Sequence, residues 1–263
     1  MKRVLVGSVA AVITFSGTLA LGAEMPTKAT VYKPVAPIFS WSGFYIGGNI
    51  GYDRNNPTAR FGANFPQTDL PTLPFGTPFH PRGNGILGGA QLGFNYQIRN
   101  VVFGIETDWS WLNAKGSTLL AGNDPALGVP SGYTYSTAEK LSSLGTLRAR
   151  LGFTPSDRLL IYGTGGLAYG KVAESSSLNI AAGGGITYSG TRSDLRSGWT
   201  AGGGAEYALP SNWTAKIEYL YYDLGAQTVI GVRMPAAPFF TRNTFDTSGN
   251  IIRVGLNYKF GSP

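Results

Sequence analysis

Hydrophobic and polar residues alternate along eight segments of this chain with a period of two. In the first segment Phe44, Ile46 and Ile50 share one side, while Tyr45 and Asn49 share the other. Successive side chains of a β-strand point to opposite sides of a sheet, so this spacing predicts strands rather than helices. The other segments lie around residues 85–97, 101–113, 140–154, 158–171, 195–209, 211–224 and 252–260, and only in 158–171 does the pattern leave the two faces unassigned.

The charged residues of these segments fall on one face, opposite a face of aliphatic and aromatic residues. In lipid every backbone N–H and C=O must be paired within the protein, so a sheet must close on itself and turn its charged face inward. The alternative is a soluble barrel of opposite polarity, with its apolar face inside. The charges are Glu106, Asp108, Arg148, Arg150, Glu206, Lys216, Glu218, Arg253 and Lys259.

Short and long connections alternate between the segments. The short ones, at 97–101, 154–157 and 209–212, contain turn-forming residues. The long ones, at 53–84, 114–138, 173–194 and 226–247, are rich in Gly, Pro, Ser, Thr and Asn. Outer-membrane barrels have an even number of antiparallel strands, short periplasmic turns and longer extracellular loops. The sequence therefore predicts an all-β fold, an eight-stranded antiparallel transmembrane β-barrel of the outer-membrane type with four long extracellular loops.

Aromatic residues near the ends of the predicted strands favour the membrane barrel over the soluble one. Outer-membrane barrels carry girdles of aromatic side chains at both membrane interfaces. The residues that fit such girdles are Trp41, Tyr52, Tyr96, Trp109, Trp111, Trp199, Trp213, Tyr221 and Tyr258.

The N-terminal residues indicate export. Two basic residues, Lys2 and Arg3, precede the uncharged apolar run 4–21 and the small residues Gly22 and Ala23. This layout predicts a secretory signal peptide over residues 1–23, and a single transmembrane anchor of about 18 apolar residues is the alternative. Three prolines in residues 24–40 predict an extended periplasmic lead-in. Residues 41–263 then form the barrel domain, located in the cell outer membrane.

Composition removes several classes of function. The chain has no cysteine, which excludes disulfides and thiolate metal sites, and its one histidine leaves no His-based catalytic or metal cluster. Its net charge is +7, which could indicate nucleic-acid binding, but the basic residues are scattered. Export and this scatter predict no nucleic-acid partner.

The predicted lumen contains four acids and five bases. An eight-stranded barrel has an interior just wide enough for side chains, and opposite charges in low dielectric should pair. The sequence therefore predicts a lumen plugged by a charge network. Glycines on the same face are expected to make room for the long basic side chains: Gly47, Gly93, Gly104, Gly152, Gly202 and Gly204.

Four segments resemble a known family. They are the lead-in 32–37 (YKPVAP), the opening 41–52 (WSGFYIGGNIGY), the strand 165–170 (GGLAYG) and the ending 253–260 (RVGLNYKF). They are similar to the outer-membrane immunogenic proteins of alpha-proteobacteria, the RopB group of porin-like surface antigens. The resemblance implies an OmpA-like eight-stranded barrel whose loops meet the host or the environment. It also implies that the terminal aromatic residue, here Phe260, is read by the barrel assembly machinery, although Gly261, Ser262 and Pro263 follow it.

Signals for catalysis or cofactor binding are weak. Residues 163–168 (GTGGLA) match the dinucleotide fingerprint G-x-G-x-x-A, but that motif needs a following helix and Tyr169 continues a strand instead. His80 in the first long connection could contact haem iron or another metal, whereas a lone loop histidine is usually only solvated. The loop acids lack calcium-loop spacing, and His80 has no evident Ser or Asp partner. The sequence predicts no cofactor, no metal site and no enzyme.

Three functions remain open. The first is an outer-membrane surface protein that supports the envelope and presents antigenic or adhesive loops, with outer-membrane lipid, lipopolysaccharide and a host or cell-surface partner as its contacts. The second is a passive porin for small solutes, which needs a wet lumen. The third is capture of haem or another ligand by the loops. Loop aromatics, exposed or packed within the loops, are Phe61, Phe65, Phe75, Phe79, Phe239 and Phe240.

Overall fold

Ten β-strands run through the part of the chain that the computed structural model describes, residues 39–66, 68, 70–127, 132–181 and 185–261. No helix among these residues is long and apolar enough to cross a membrane. The predicted signal peptide 1–23 and the lead-in up to residue 38 lie outside the described residues. The strands are β1 Gly43–Asn55, β2 Thr58–Arg60, β3 Pro78–Phe79, β4 Gly83–Ile98, β5 Val101–Asn123, β6 Gly132–Ser156, β7 Leu159–Ile180, β8 Ile186–Ala208, β9 Trp213–Met234 and β10 Phe240–Lys259.

The eight long strands close into a ring. From β4 to β10, each pairs antiparallel with the next in the chain, and β1 pairs with both β4 and β10. The closing ladder runs from Tyr45 opposite Lys259 to Asn55 opposite Gly249. This closure confirms the predicted eight-stranded antiparallel barrel and leaves no open sheet edge along that ladder.

The outward face carries a continuous belt of exposed apolar side chains. On β1, Phe44, Ile46 and Ile50 are 50–61% exposed. Soluble proteins rarely expose large apolar side chains in such a continuous patch. We call this surface the apolar belt and the strand segments that carry it the membrane-spanning segments. They are 44–52, 86–98, 101–111, 145–153, 161–169, 199–207, 213–221 and 252–260.

The three predicted short turns lie together at one end of the barrel, the short-turn end. They connect β4 to β5, β6 to β7 and β8 to β9. Positive φ angles at Arg99, Ser211 and Asn212 make two of these reversals tight. The alternation of short and long connections is confirmed.

At the opposite, long-loop end the four predicted long connections contain much β-strand. β5 to β10 continue well beyond the apolar belt, so three of the connections shrink to residues 124–131, 181–185 and 235–239. Only the first, 56–82, remains long, and its β2 pairs with β10 while β3 pairs with β2. The strand extensions were missed because their outward positions face water and are polar, so the apolar-outward pattern of the belt does not continue along them.

The extended wall is interrupted between β8 and β9, at what we call the β8–β9 gap. β8 and β9 are paired up to Trp199 opposite Asp223 and again at Ser189 opposite Val232, with a shift of register between. Arginine side chains span this stretch. Arg192 donates from Nη1 to the Thr228 carbonyl at 3.5 Å, and Arg196 donates from Nη2 to the Gly225 carbonyl.

Candidate functional site

The lumen is filled by layers of side chains that alternate between apolar and polar along the barrel. At the short-turn end Phe39 and Trp41 meet edge to face, with ring centroids 5.0 Å apart. Trp41 is only 1% exposed and its backbone N–H donates to Gln97 Oε1 at 2.8 Å, so the prediction that it joins an interfacial girdle is wrong. It precedes β1 and turns inward. The first layer contains Phe39, Trp41, Val102, Leu160, Tyr162 and Ala208.

The second layer is the charge network, centred on Arg148. Its Nη2 donates to Glu106 Oε1 at 2.5 Å and to Asp108 Oδ2 at 3.0 Å, and its Nη1 donates to Glu218 Oε1 at 2.9 Å. The Arg148 side chain is 0% exposed, and its partners are at most 2% exposed. Arg253 donates to Glu218 and Asp108 from the far side. Buried charges persist only when partners compensate their desolvation, and each of these has more than one.

Two further bases complete the network. Arg150 Nη2 lies 2.7 Å from Glu206 Oε2, and Lys216 Nζ donates to both oxygens of Glu106 at 2.8 Å. Four carboxylates therefore face four bases in this layer, and their formal charges cancel. The sequence placed these eight residues on the inward face, and the structure brings them together.

Lys259, the ninth predicted residue, lies outside this layer. It is the last residue of β10, so it faces inward at the short-turn end. Its Nζ lies 5.3 Å from the centre of the Phe39 ring and donates to the Ser42 carbonyl at 3.3 Å. The two-residue alternation correctly placed Lys259 on the inward face, but it contains no information on the position of the residue along the barrel axis.

Two tyrosines belong to the network although the sequence did not identify them. Tyr45 Oη donates to Glu106 Oε2 at 2.7 Å and accepts from Arg150 Nη1 at 2.9 Å. Tyr162 Oη donates to Glu218 Oε1 at 3.0 Å, and the Arg150 guanidinium lies 3.9 Å from its ring centre. Tyr45 had the inward position of its strand, whereas Tyr162 lies in the segment with unassigned faces.

The inward glycines mostly make room for neutral side chains. A Cβ at Gly93 would collide with the Tyr45 ring, and one at Gly204 would lie 2.8 Å from Tyr162 Oη. Of the six predicted glycines, only Gly104 has a basic side chain, Arg150, among its nearest neighbours. The expectation that these glycines accommodate the long bases is therefore right at one position and needs correction at the others.

Above the charge network an apolar layer separates it from a second polar group. That layer contains Leu87, Leu112, Ala114, Leu141, Leu144, Ala168, Val172, Leu220, Tyr222, Leu224 and Ile251. Beyond it, Arg196 Nη1 donates to Glu174 Oε1 at 2.6 Å and to Thr247 Oγ1 at 2.8 Å. Thr247 Oγ1 and Asn55 Nδ2 each donate to Glu139 at 2.9 Å. We call these five residues the upper polar cluster, and it lies beyond the membrane-spanning segments.

The upper polar cluster has two carboxyl groups but one guanidinium. Burial raises the pKa of Glu174 to about 7, because the attraction of Arg196 only partly offsets desolvation and Glu139 adds like charge. Burial also raises the pKa of Glu139, against the hydrogen bonds from Asn55 and Thr247. The cluster therefore favours an added proton near neutral pH.

We expect the long-loop end to be more stable at pH 5 than at pH 8. A carboxyl group with a raised folded-state pKa binds more protons folded than unfolded, so its contribution is complete below about 4.5 and is lost as pH rises towards about 7. Limited proteolysis of this end at several pH values measures the effect. Glu174→Gln should weaken the dependence of the cleavage rate on pH. An unchanged pH dependence in that variant would show that other groups cause the effect.

The outermost layer is an apolar cap formed partly by the first long connection. Phe61, Phe65 and Phe79 are 2–7% exposed, whereas Phe75 and Phe239 are each 40% exposed. Phe61 packs against Tyr135 on the barrel wall, with ring centroids 5.1 Å apart. The cap contains Ala59, Phe61, Phe65, Leu70, Leu73, Phe79, Tyr133, Tyr135, Leu178, Ile180, Tyr188, Val229 and Phe245.

His80 lies outside the cap and is exposed. Its Nδ1 lies 3.4 Å from Thr58 Oγ1. Across the described stretches of the chain, no three His, Cys, Asp or Glu side chains are grouped to hold a metal ion. A ligand contact at His80 stays a prediction.

The sequence of this chain matches known outer-membrane proteins along almost its whole length. The family model "Outer membrane protein beta-barrel domain" matches residues 15–260. The chain is 38% identical over 266 residues to the 31 kDa outer-membrane immunogenic protein of Brucella melitensis, covering 99% of this chain and 100% of that protein. It is 30% identical over 190 residues to the 22 kDa outer membrane protein of Rhizobium leguminosarum, covering 72% and 67% respectively.

Two solved structures align with this chain at low sequence identity and low TM-score. Ail of Yersinia pestis has a TM-score of 0.31 and 14% identity, covering 81% of this chain and 99% of Ail. OprG of Pseudomonas aeruginosa has a TM-score of 0.42 and 13% identity, covering 84% and 97%. The strand pairing itself establishes the barrel, and the sequence matches establish the relationship. The resemblance inferred from the four sequence segments is confirmed: the chain belongs to the outer-membrane β-barrel protein family, together with the outer-membrane immunogenic proteins of alpha-proteobacteria, and is located in the outer membrane.

Proposed function

We propose that this protein is a sealed outer-membrane barrel that supports the envelope and holds a rigid extracellular extension for surface contacts. The observation that carries the proposal is the filled lumen, where apolar layers lie below and above the charge network. A solute would have to displace both the paired charges and the packed apolar residues. The strands beyond the apolar belt are hydrogen-bonded and capped, which suits presentation of a fixed antigenic or adhesive surface.

Measurement of ionic conductance tests whether the lumen is sealed. We expect residues 24–263, refolded into lipid and incorporated into a planar bilayer, to give no reproducible current steps. Altered gel mobility on heating would verify insertion independently. Stable steps of uniform size from inserted protein would contradict the seal and favour the passive porin.

The remaining partners are part of the same proposal. Residues 1–23 act as the export signal, and Phe260, half exposed beside Tyr258 at the short-turn end, is the aromatic residue presented to the barrel assembly machinery. We assign no catalytic role to the charge network, since its four acids and four bases are held in buried ion pairs. Haem capture keeps His80 as its only named contact and is the weaker alternative.

A further inference from the structure

Five basic side chains lie on the outer wall just beyond the apolar belt at the long-loop end. Arg54 follows the belt residue Tyr52 by two positions, and Lys171 follows Tyr169 by two. All five are exposed; four lie on β1, β5, β6 and β7, and Arg82 directly precedes β4, which lies between β1 and β5. We call them the basic band: Arg54, Arg82, Lys115, Lys140 and Lys171.

The strand register places these charges next to one another. Lys115 lies directly opposite Lys140 on the β5–β6 ladder, a position where Cβ atoms are about 5 Å apart. Lys140 lies opposite Ala173, so Lys171 is its diagonal neighbour at roughly 7–8 Å. Like charges directly opposite on two strands destabilise a sheet. This arrangement is therefore costly unless an anion is bound between the lysines.

The outward face around the basic band supplies no such anion. Glu139 and Glu174 are on the same strands, but they point into the lumen. Within the described residues, no carboxylate lies within ion-pair distance of any of the five side chains. The exposed acid Asp194 on β8 is paired with Arg192. Asp223 lies on β9, and Asp246 lies on β10, the neighbour of β1, four residues before the position opposite Arg54.

The floor between the lysines is shallow and built from small residues. A groove of about 480 Å³ crosses β5 to β8 at this level, with Lys115 and Lys140 at its margin. Its floor includes Gly116, Ala138 and Ala173. Small side chains let a flat, polar group such as a sugar ring approach the backbone, while the flexible lysines reach its charged substituents.

We propose that the basic band binds the phosphorylated sugar headgroup of a glycolipid in the outer leaflet. The apolar belt immediately below would contact the acyl chains of the same molecule, and this continuity favours a lipid over free phosphate. A basic residue near an anionic membrane surface contributes about 1 kcal/mol, or about fivefold in affinity. The inference rests on the outer-membrane location and does not require a sealed lumen.

Binding to vesicles with and without a phosphorylated glycolipid tests the assignment. The probe is diphosphoryl lipid A, carried in phosphatidylcholine vesicles. The full refolded protein in neutral detergent is mixed with them, and the retention measured is the amount of lipid A that stays bound to the protein. We expect K115Q/K140Q/K171Q to reduce retention of this lipid by about a hundredfold. The matched control R60Q/R158Q/R242Q removes the same charge from exposed positions elsewhere and should change retention less than threefold.

Each other outcome contradicts the proposal. Equal losses in the two triple variants would show that net charge, not the basic band, attracts the lipid. Displacement of the lipid by equimolar inorganic phosphate would assign a free-phosphate site instead. Heat-modifiable gel mobility checks the fold of both variants, and bilayer conductance, which reports on the seal, should be the same in both.

Discussion

Arg148→Met is expected to lower the free energy of unfolding by about 3–5 kcal/mol. The substitution removes the guanidinium that pairs with Glu106, Asp108 and Glu218, and it leaves buried carboxylates with incomplete compensation. Methionine keeps much of the side-chain volume, so the loss reports charge rather than a cavity. Urea titration in lipid vesicles, followed by the gel mobility of unheated samples, measures it.

A matched control separates this effect from the loss of any arginine. Arg192 also pairs with an acid, Asp194, but the two side chains are 48% and 43% exposed. Exposed ion pairs contribute about 0–1 kcal/mol, so Arg192→Met should change stability little. Adding Glu218→Gln to Arg148→Met should recover part of the loss. Equal, small shifts for Arg148→Met and Arg192→Met would show that the charge network does not stabilise the barrel.

Phe61→Ala is expected to release the first long connection from the barrel. Phe61 is 2% exposed and packs against Tyr135 within the apolar cap. Truncating a buried phenylalanine costs about 3–5 kcal/mol. Because this cost falls on a connection rather than on the membrane-spanning segments, we expect local opening. Protease treatment of intact cells should cut within residues 56–82 at least a hundredfold faster in the variant.

Phe75→Ala is the control for this second experiment. Phe75 lies in the same connection and contacts Phe61, with ring centroids 5.9 Å apart, but it is 40% exposed. Its truncation removes less buried surface and should raise cleavage only a few fold. If both variants are cut equally fast, the connection is already open in the wild type and the cap contributes no protection.

The alternation of side chains was sufficient to predict the barrel and to place eight charged residues of the network on its inward face. Lipid imposes a sharp contrast between Ile105 outside and Glu106 inside, and the two-residue period translates that contrast directly into faces. The same period gives no information on where a residue lies along the barrel axis. For that reason Lys259 was assigned to the charge network, although it lies nearer the short-turn end. Trp41 was assigned to the membrane interface, although it is buried inside the short-turn end.

Features set by packing rather than by solvent could not be predicted. Outward positions above the belt, such as Ser175 and Ser177 on β7, face water just as inward Ser176 faces polar neighbours, so no contrast marks this stretch of the strand. Tyr45 and Tyr162 have both an apolar ring and a polar hydroxyl, which makes either face acceptable. Their roles depend on how Gly93 and Gly204 open space across the lumen, a relation between distant residues.

The position of the β8–β9 gap above the apolar belt follows from the cost of unpaired backbone groups in lipid. In the membrane, unpaired backbone groups would cost several kcal/mol each, so a split of this kind is tolerable only where water can reach the strands. Above the belt, the side chains of Arg192 and Arg196 connect β8 to β9 where the backbone ladder does not. The exposed half can therefore keep its shape with an incomplete ladder, whereas the embedded half requires a complete one.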